Sequence, residues 1–125
     1  MSNDGSESSR SARHPLVSVC IPAYNAERTI GAALSSVLKQ TYSRMEVLVV
    51  DNASEDRTVA VVIEFDDPRI RLHQNRTNLG GEGNFTRCVQ LATGDYIAVF
   101  HADDIYLPDI VSRQIQAFQL IMRKG

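Results

Sequence analysis

Two spacings of apolar residues alternate along the chain. Val17-Ser18-Val19-Cys20-Ile21 and Val47-Leu48-Val49-Val50 are short, nearly unbroken apolar runs rich in β-branched residues, the pattern of buried strands. Ile70-Arg71-Leu72-His73 is a shorter third strand, and Tyr96 to Phe100 a fourth. Between them the spacing lengthens to that of helices. Ile30, Ala33, Leu34, Val37 and Leu38 share one helical face, with Asn25 placed as its cap. Val59, Val62 and Ile63 turn inward behind a second cap at Ser54. Phe85, Cys88, Val89 and Ala92 form a third stripe closed by Thr93-Gly94. Val111, Ile115, Phe118 and Met122 form a fourth, opened by Pro108. This alternation predicts βαβ units and an α/β fold, a mostly parallel sheet of about four strands with helices on both faces.

Such a sheet draws attention to its strand ends. Right-handed crossovers bring the C-terminal ends of the first, second and fourth strands to one edge, where open α/β sheets take their ligands. Pro22 to Asn25, Asp51 and Asp103-Asp104 therefore converge. Adjacent carboxylates are costly unless paired or metal-bound, so Asp103 and Asp104 are candidates for holding Mg²⁺ or Mn²⁺ with a phosphorylated ligand. One of them could instead cap the helix that follows. The convergence describes a nucleotide site with a metal.

Composition narrows the classes. With 125 residues, 43% of them hydrophobic, the chain fits one small domain with a core. Residues 1–15, rich in Ser and charge, read as a disordered tail rather than a signal peptide, and 16–125 as the folded domain. A formal net charge of −2 without a basic cluster excludes a nucleic-acid surface. No apolar run reaches membrane-spanning length. Cys20 in a strand and Cys88 on a helix face read as buried thiols in a reducing compartment, so the cytoplasm is the expected location.

The order and spacing of these pieces resemble the donor-binding half of family 2 glycosyltransferases. The resemblance rests on Val17 to Asn25, Val49-Val50-Asp51-Asn52-Ala53-Ser54, Asn78-Leu79-Gly80, Gly94-Asp95-Tyr96-Ile97 and His101-Ala102-Asp103-Asp104, and runs from about Val17 to the chain end. It implies the GT-A fold, a Rossmann-like αβα sandwich, and an inverting transfer of a sugar from a nucleotide diphosphate to an acceptor hydroxyl. It implies that Pro22, Ala23, Tyr24 and the adjoining Asn25 pack against nucleobase and ribose, Tyr24 offering a ring for stacking. Asp51 would accept the N3–H of a uracil, which favours a UDP-sugar. Arg71 would approach the nucleotide or its diphosphate, and Asn78 and Gly80 would lie beneath the donor with Asn84 bracing the loop. Asp103, with Asp104 beside it, would hold Mn²⁺ or Mg²⁺ across the diphosphate. Each residue also has a plainer reading: Tyr24 as cover for a sheet edge, Asp51 as a helix cap, Arg71 as an exposed strand residue, Asn78 to Asn84 as an ordinary loop.

Two departures from the family pattern matter. His101 stands where an acid usually precedes Asp103 by two positions, and no downstream acid is evident as the base that deprotonates the acceptor. Asp109 suits a helix dipole better. The base is therefore expected beyond Gly125, in a longer enzyme whose further segment would take the acceptor glycan or lipid-linked sugar and could carry a membrane anchor. The chain alone is expected to bind donor weakly or not at all, to turn nothing over, and to self-associate through an exposed sheet edge. A non-catalytic nucleotide-sugar-binding or scaffold module is the main alternative. A receiver domain needs an acidic pair after the first strand, and a sugar nucleotidyltransferase a Gly-rich basic loop there; the sequence has neither.

Overall fold

The first two strands are the centre of the sheet because they are apolar on both faces. In the computed structural model, which describes residues 14–124 and their side chains through residue 117, β1 (Val17–Ala23) and β2 (Met45–Asp51) are buried almost throughout. They are flanked by β3 (Ile70–Gln74) and β4 (Tyr96–Val99) in the order β3-β2-β1-β4, and every pairing is parallel. The expected tail before residue 14 and the side chains of Phe118 and Met122 lie outside the described residues. Pro15 already belongs to the domain: it is buried, and its carbonyl accepts the Tyr42 hydroxyl.

Helices cover both faces, as the alternating pattern predicts. On one face α1 (Ile30–Leu38), α2 (Thr58–Ile63) and α4 (Ile110–Lys124) send Ile30, Leu34, Val37, Val62, Val111 and Ile115 onto Val17, Val19, Ile21, Val47 and Val49. On the other, α3 (Gly80–Leu91) closes over Cys20, Leu48 and Val50 with Cys88 and Leu91. Cys20 and Cys88 are free and fully buried. A hydrogen bond with Cys88, together with burial, pushes the Cys20 thiol up and leaves it unreactive.

Several local expectations change in the folded chain. Asn25 and Ser54 do not cap α1 and α2, which begin behind Thr29 and Arg57 without a side-chain cap; both residues are used in the crevice described below. Ile63 is 65% exposed, because the short α2 presents only Thr58 and Val62 fully to the sheet. In α3 the buried line is Asn84 and Cys88, which leaves Phe85 and Val89 on the outer side, 46% and 41% exposed. The two stripes are adjacent on a helix, and the one that meets the sheet is chosen by the strands beneath it.

Gly94 does not end α3 in a left-handed turn. The helix is closed by Ala92 in extended backbone, and Gly94 crosses so near β1 that a Cβ there would lie 2.7 Å from Leu16 O, Ser18 N and Ser18 Oγ.

A buried ionic cluster ties this crossing to the sheet, at the end opposite the crevice. Glu46 accepts from Ser18 Oγ at 2.5 Å, from the Thr93 N–H at 2.7 Å and from Arg71 Nη1 at 2.6 Å, while Ser18 Oγ accepts the Gly94 N–H. Burial alone would raise the Glu46 carboxyl, but the three donors outweigh it and hold it down to about 2. A depressed carboxyl adds stability above its unfolded pKa and loses it as pH falls toward the folded value. Unfolding free energy should therefore drop by on the order of 2 kcal/mol between about pH 4.5 and 2 through this group. Glu46→Gln should flatten that part of the profile in chemical denaturation; an unchanged acid limb would remove Glu46 from the account.

Candidate functional site

The loops that leave β1, β2 and β4 meet at one edge of the sheet. β1 reaches Ala23 opposite Asp51, and β4 stops at Val99 opposite Cys20, so the loop after β4 runs beside the end of β1. Backbone bonds seal the junction: Asn52 N–H donates to Ala23 O and Phe100 N–H to Cys20 O, each at 2.8 Å.

Asn25 and Ser54 lace the first two loops together. Asn25 N–H donates to Ser54 Oγ at 2.8 Å and Asn25 Oδ1 accepts the Glu55 N–H, while Ala26 N–H donates to Thr58 Oγ1. Asp51 receives Ser54 twice, from the hydroxyl at 2.6 Å and the N–H at 3.0 Å. Its carboxylate is thereby oriented and only 2% exposed, so a base edge would have to approach the lone pairs that Ser54 leaves. Asn25 and Ala53 both have left-handed backbone, φ 47° and 63°. Asparagine tolerates that region, whereas alanine is strained there by about 1–2 kcal/mol, a feature that gathers at binding sites.

A trio of buried asparagines holds the glycine-rich loop. Asn75 donates to Asn52 Oδ1 at 3.0 Å and to Asn84 Oδ1 at 2.7 Å, and Asn84 donates to Val50 O. Asn52 also donates to Asn78 Oδ1 and Gly80 O, and accepts the Leu79 N–H. Asn84 therefore braces the loop from within, while Asn78 is exposed at its tip and Gly80 takes φ 77°. Sequence reasoning missed Asn52 and Asn75, because a buried asparagine leaves no periodic signal.

The fourth-strand loop is anchored from below. The Tyr106 ring stacks on Phe100 at 4.0 Å, its hydroxyl accepts the His101 N–H at 2.6 Å, and its own N–H donates to Ser36 Oγ. Gln40 grips the far side, donating to Leu107 O and accepting the Val111 N–H. Burial pushes the Tyr106 hydroxyl up, which keeps it protonated. Ser36 and Gln40 were hidden in the sequence as ordinary positions of α1 and its end. On this support His101, Asp103 and Asp104 are all exposed, with Tyr106 Oη donating to Asp104 at 3.4 Å.

The edge thus gathers Pro22, Ala23, Tyr24, Asn25, Asp51, Asn78, Gly80, Asp103 and Asp104, with Tyr24 47% exposed. Arg71 is not among them. It sits opposite Leu48, three residues short of the Asp51 level and so about 10 Å below it, and its guanidinium is paired with Glu46. Among the described residues, no three His, Cys, Asp or Glu side chains converge to hold a metal ion. None of the described helices is long and apolar enough to cross a membrane.

Residues 18–121 match the family model for glycosyl transferase family 2. The chain is 45% identical over 100 residues to the Escherichia coli UDP-Glc:alpha-D-GlcNAc-diphosphoundecaprenol beta-1,3-glucosyltransferase WfgD, a match covering 80% of this chain and 40% of that protein. The fold is similar to S. aureus TarS 1-349 in complex with UDP, with a TM-score of 0.73, 30% identity, and coverage of 82% of this chain and 31% of that one. It is also similar to the mannosyltransferase PcManGT of Pyrobaculum calidifontis in complex with GDP-Man and Mn2+, with a TM-score of 0.70, 28% identity, and coverage of 74% and 29%. The chain therefore spans two fifths or less of the length of these proteins. With its strand-end crevice, its parallel sheet and this match along most of its length, the chain belongs to glycosyl transferase family 2.

Proposed function

We propose that this chain is the donor-binding part of a glycosyltransferase that takes a UDP-sugar and transfers the sugar to an acceptor hydroxyl with inversion. The observation that carries the reading is the meeting of Tyr24, Asp51 and the Asp103-Asp104 pair at one strand-end crevice. UDP is the nucleotide in the TarS complex, and UDP-Glc the donor in the name of the WfgD relative.

Each residue has a role in this reading. Tyr24 lays its exposed ring against the base, and Asp51, oriented by Ser54, accepts the N3–H that distinguishes uracil from cytosine. Asn78 and the Gly80 backbone line the floor beneath the diphosphate, held in place by Asn52, Asn75 and Asn84. Asp103 and Asp104 offer the hard carboxylate oxygens that suit Mn²⁺ or Mg²⁺. When bound, the ion supplies neutralisation of charge on the departing nucleotide. The base that activates the acceptor, and the surface that binds it, are not assigned to any residue of this chain, which covers 40% of the WfgD relative. The WfgD name, with its diphosphoundecaprenol acceptor, makes a lipid-linked sugar the acceptor class to test first.

Calorimetric titration of the chain with UDP, GDP and dTDP, each in Mn²⁺ and in EDTA, tests the donor assignment. UDP should bind in Mn²⁺ more tightly than GDP and lose affinity in EDTA. Equal binding of all three nucleotides by the folded chain, or by the full-length protein if the chain alone binds none, would overturn it.

A further inference from the structure

A second concave site lies on the outer flank of the sheet, sharing Asn75 and Leu79 with the loop that borders the crevice. A cleft of about 340 Å³ opens between the end of β3 and α3, walled by His73, Asn75, Arg76 and Arg87 among others. Pro22 to Asn25, Asp51, Asp103 and Asp104 contribute nothing to its wall. His73 stands opposite Val50 in the β3–β2 register and so faces the α3 side of the sheet, where Val50 packs with Cys88. Arg87 immediately precedes Cys88 and is half-buried in the wall, and Arg76 stands at the rim.

The charge around this cleft is unbalanced. Arg76 and Arg87 make no ion pair and no side-chain hydrogen bond among the described residues, and no carboxylate lines the cleft. Arg69 and Arg71, on the same edge of the sheet, are each matched by an acid, Asp67 and Glu46. Two guanidinium groups drawn around one concavity repel each other unless an anion sits between them, and the guanidinium fork suits phosphate oxygens. The wall carries a second mark. Asn75, 8% exposed, lines it as well, and its buried Oδ1 has no hydrogen-bond partner. A merely solvated basic face would lack the cavity.

We propose that this cleft binds a phosphate or diphosphate ester through Arg76, Arg87 and His73, independently of the nucleotide crevice. The ligand is either a soluble phosphate ester or the headgroup of an anionic lipid. Both present the same phosphate oxygens to the same guanidinium groups.

Titration of the whole chain with inorganic pyrophosphate, in EDTA and at low salt, tests the site without involving the Asp103-Asp104 pair. Arg87→Gln and Arg76→Gln should each weaken binding about tenfold or more, while Arg113→Gln, remote on α4, leaves it unchanged. Thermal melts confirm that the variants fold. A parallel sedimentation with phosphatidylglycerol and phosphatidylcholine vesicles identifies the source. Arginine-dependent retention on phosphatidylglycerol assigns the site to a lipid headgroup, and a response to pyrophosphate alone assigns it to a soluble ester. Absence of pyrophosphate binding up to about 10 mM, or binding that survives both arginine substitutions, overturns the proposal.

Discussion

Gly94→Ala should lower the unfolding free energy by about 2–3 kcal/mol, on the order of 10–20 °C in melting midpoint for a domain of this size. The reason is proximity rather than glycine's conformational freedom. A Cβ at this position meets Leu16 O, Ser18 N and Ser18 Oγ, each at 2.7 Å, and two of these are backbone atoms of the segment that opens β1. Neither neighbour can rotate away. The Gly94 N–H also donates to Ser18 Oγ, which in turn donates to Glu46, so any displacement that relieved the clash would pull apart the buried ionic cluster. Gly81→Ala is the matched control: its Cβ would have open space and its site is in the first turn of α3, so alanine there should be neutral or stabilising by up to about 1 kcal/mol. Equal melting of Gly94→Ala and the parent chain would show that the crossing is looser than described.

Asp103→Asn should reduce the affinity for UDP in Mn²⁺ by at least about tenfold, to the level seen in EDTA, while the unfolding free energy stays within about 0.5 kcal/mol of the parent. The substitution keeps the side chain's size and removes the charge a divalent ion needs. Its separation from folding is what makes the measurement decisive. Asp103 is exposed, and its turn is held by other groups: the Phe100–Tyr106 stack, the His101 N–H to Tyr106 Oη bond and the Gln40 bond to Leu107 O. Asp51→Asn is a different case, since Asp51 is buried and doubly bonded to Ser54, so its loss should cost stability as well as base selectivity. Undiminished metal-dependent binding by Asp103→Asn would place the ion elsewhere and dissociate the motif from its assigned chemistry.

Taken alone, the sequence determined the sheet and the edge at which its loops meet. The nearly unbroken apolar runs at Val17–Ile21 and Val47–Val50 read as strands buried on both faces, and once crossovers are right-handed the loops at Tyr24, Asp51 and Asp103 meet. Those features are local or follow from a general topological rule. Tertiary structure decided which of two neighbouring stripes of α3 is buried, Asn84 with Cys88 rather than Phe85 with Val89. It also diverted Asn25 and Ser54 from capping helices to lacing two loops, paired Arg71 with Glu46 far from the crevice, and drew Asn52, Asn75 and Asn84 into one buried network. The physical reason is common to all four. A polar side chain takes whichever partner burial leaves within reach, and here that partner is supplied by an element distant in sequence, whereas an apolar run carries its preference for the interior in its own residues.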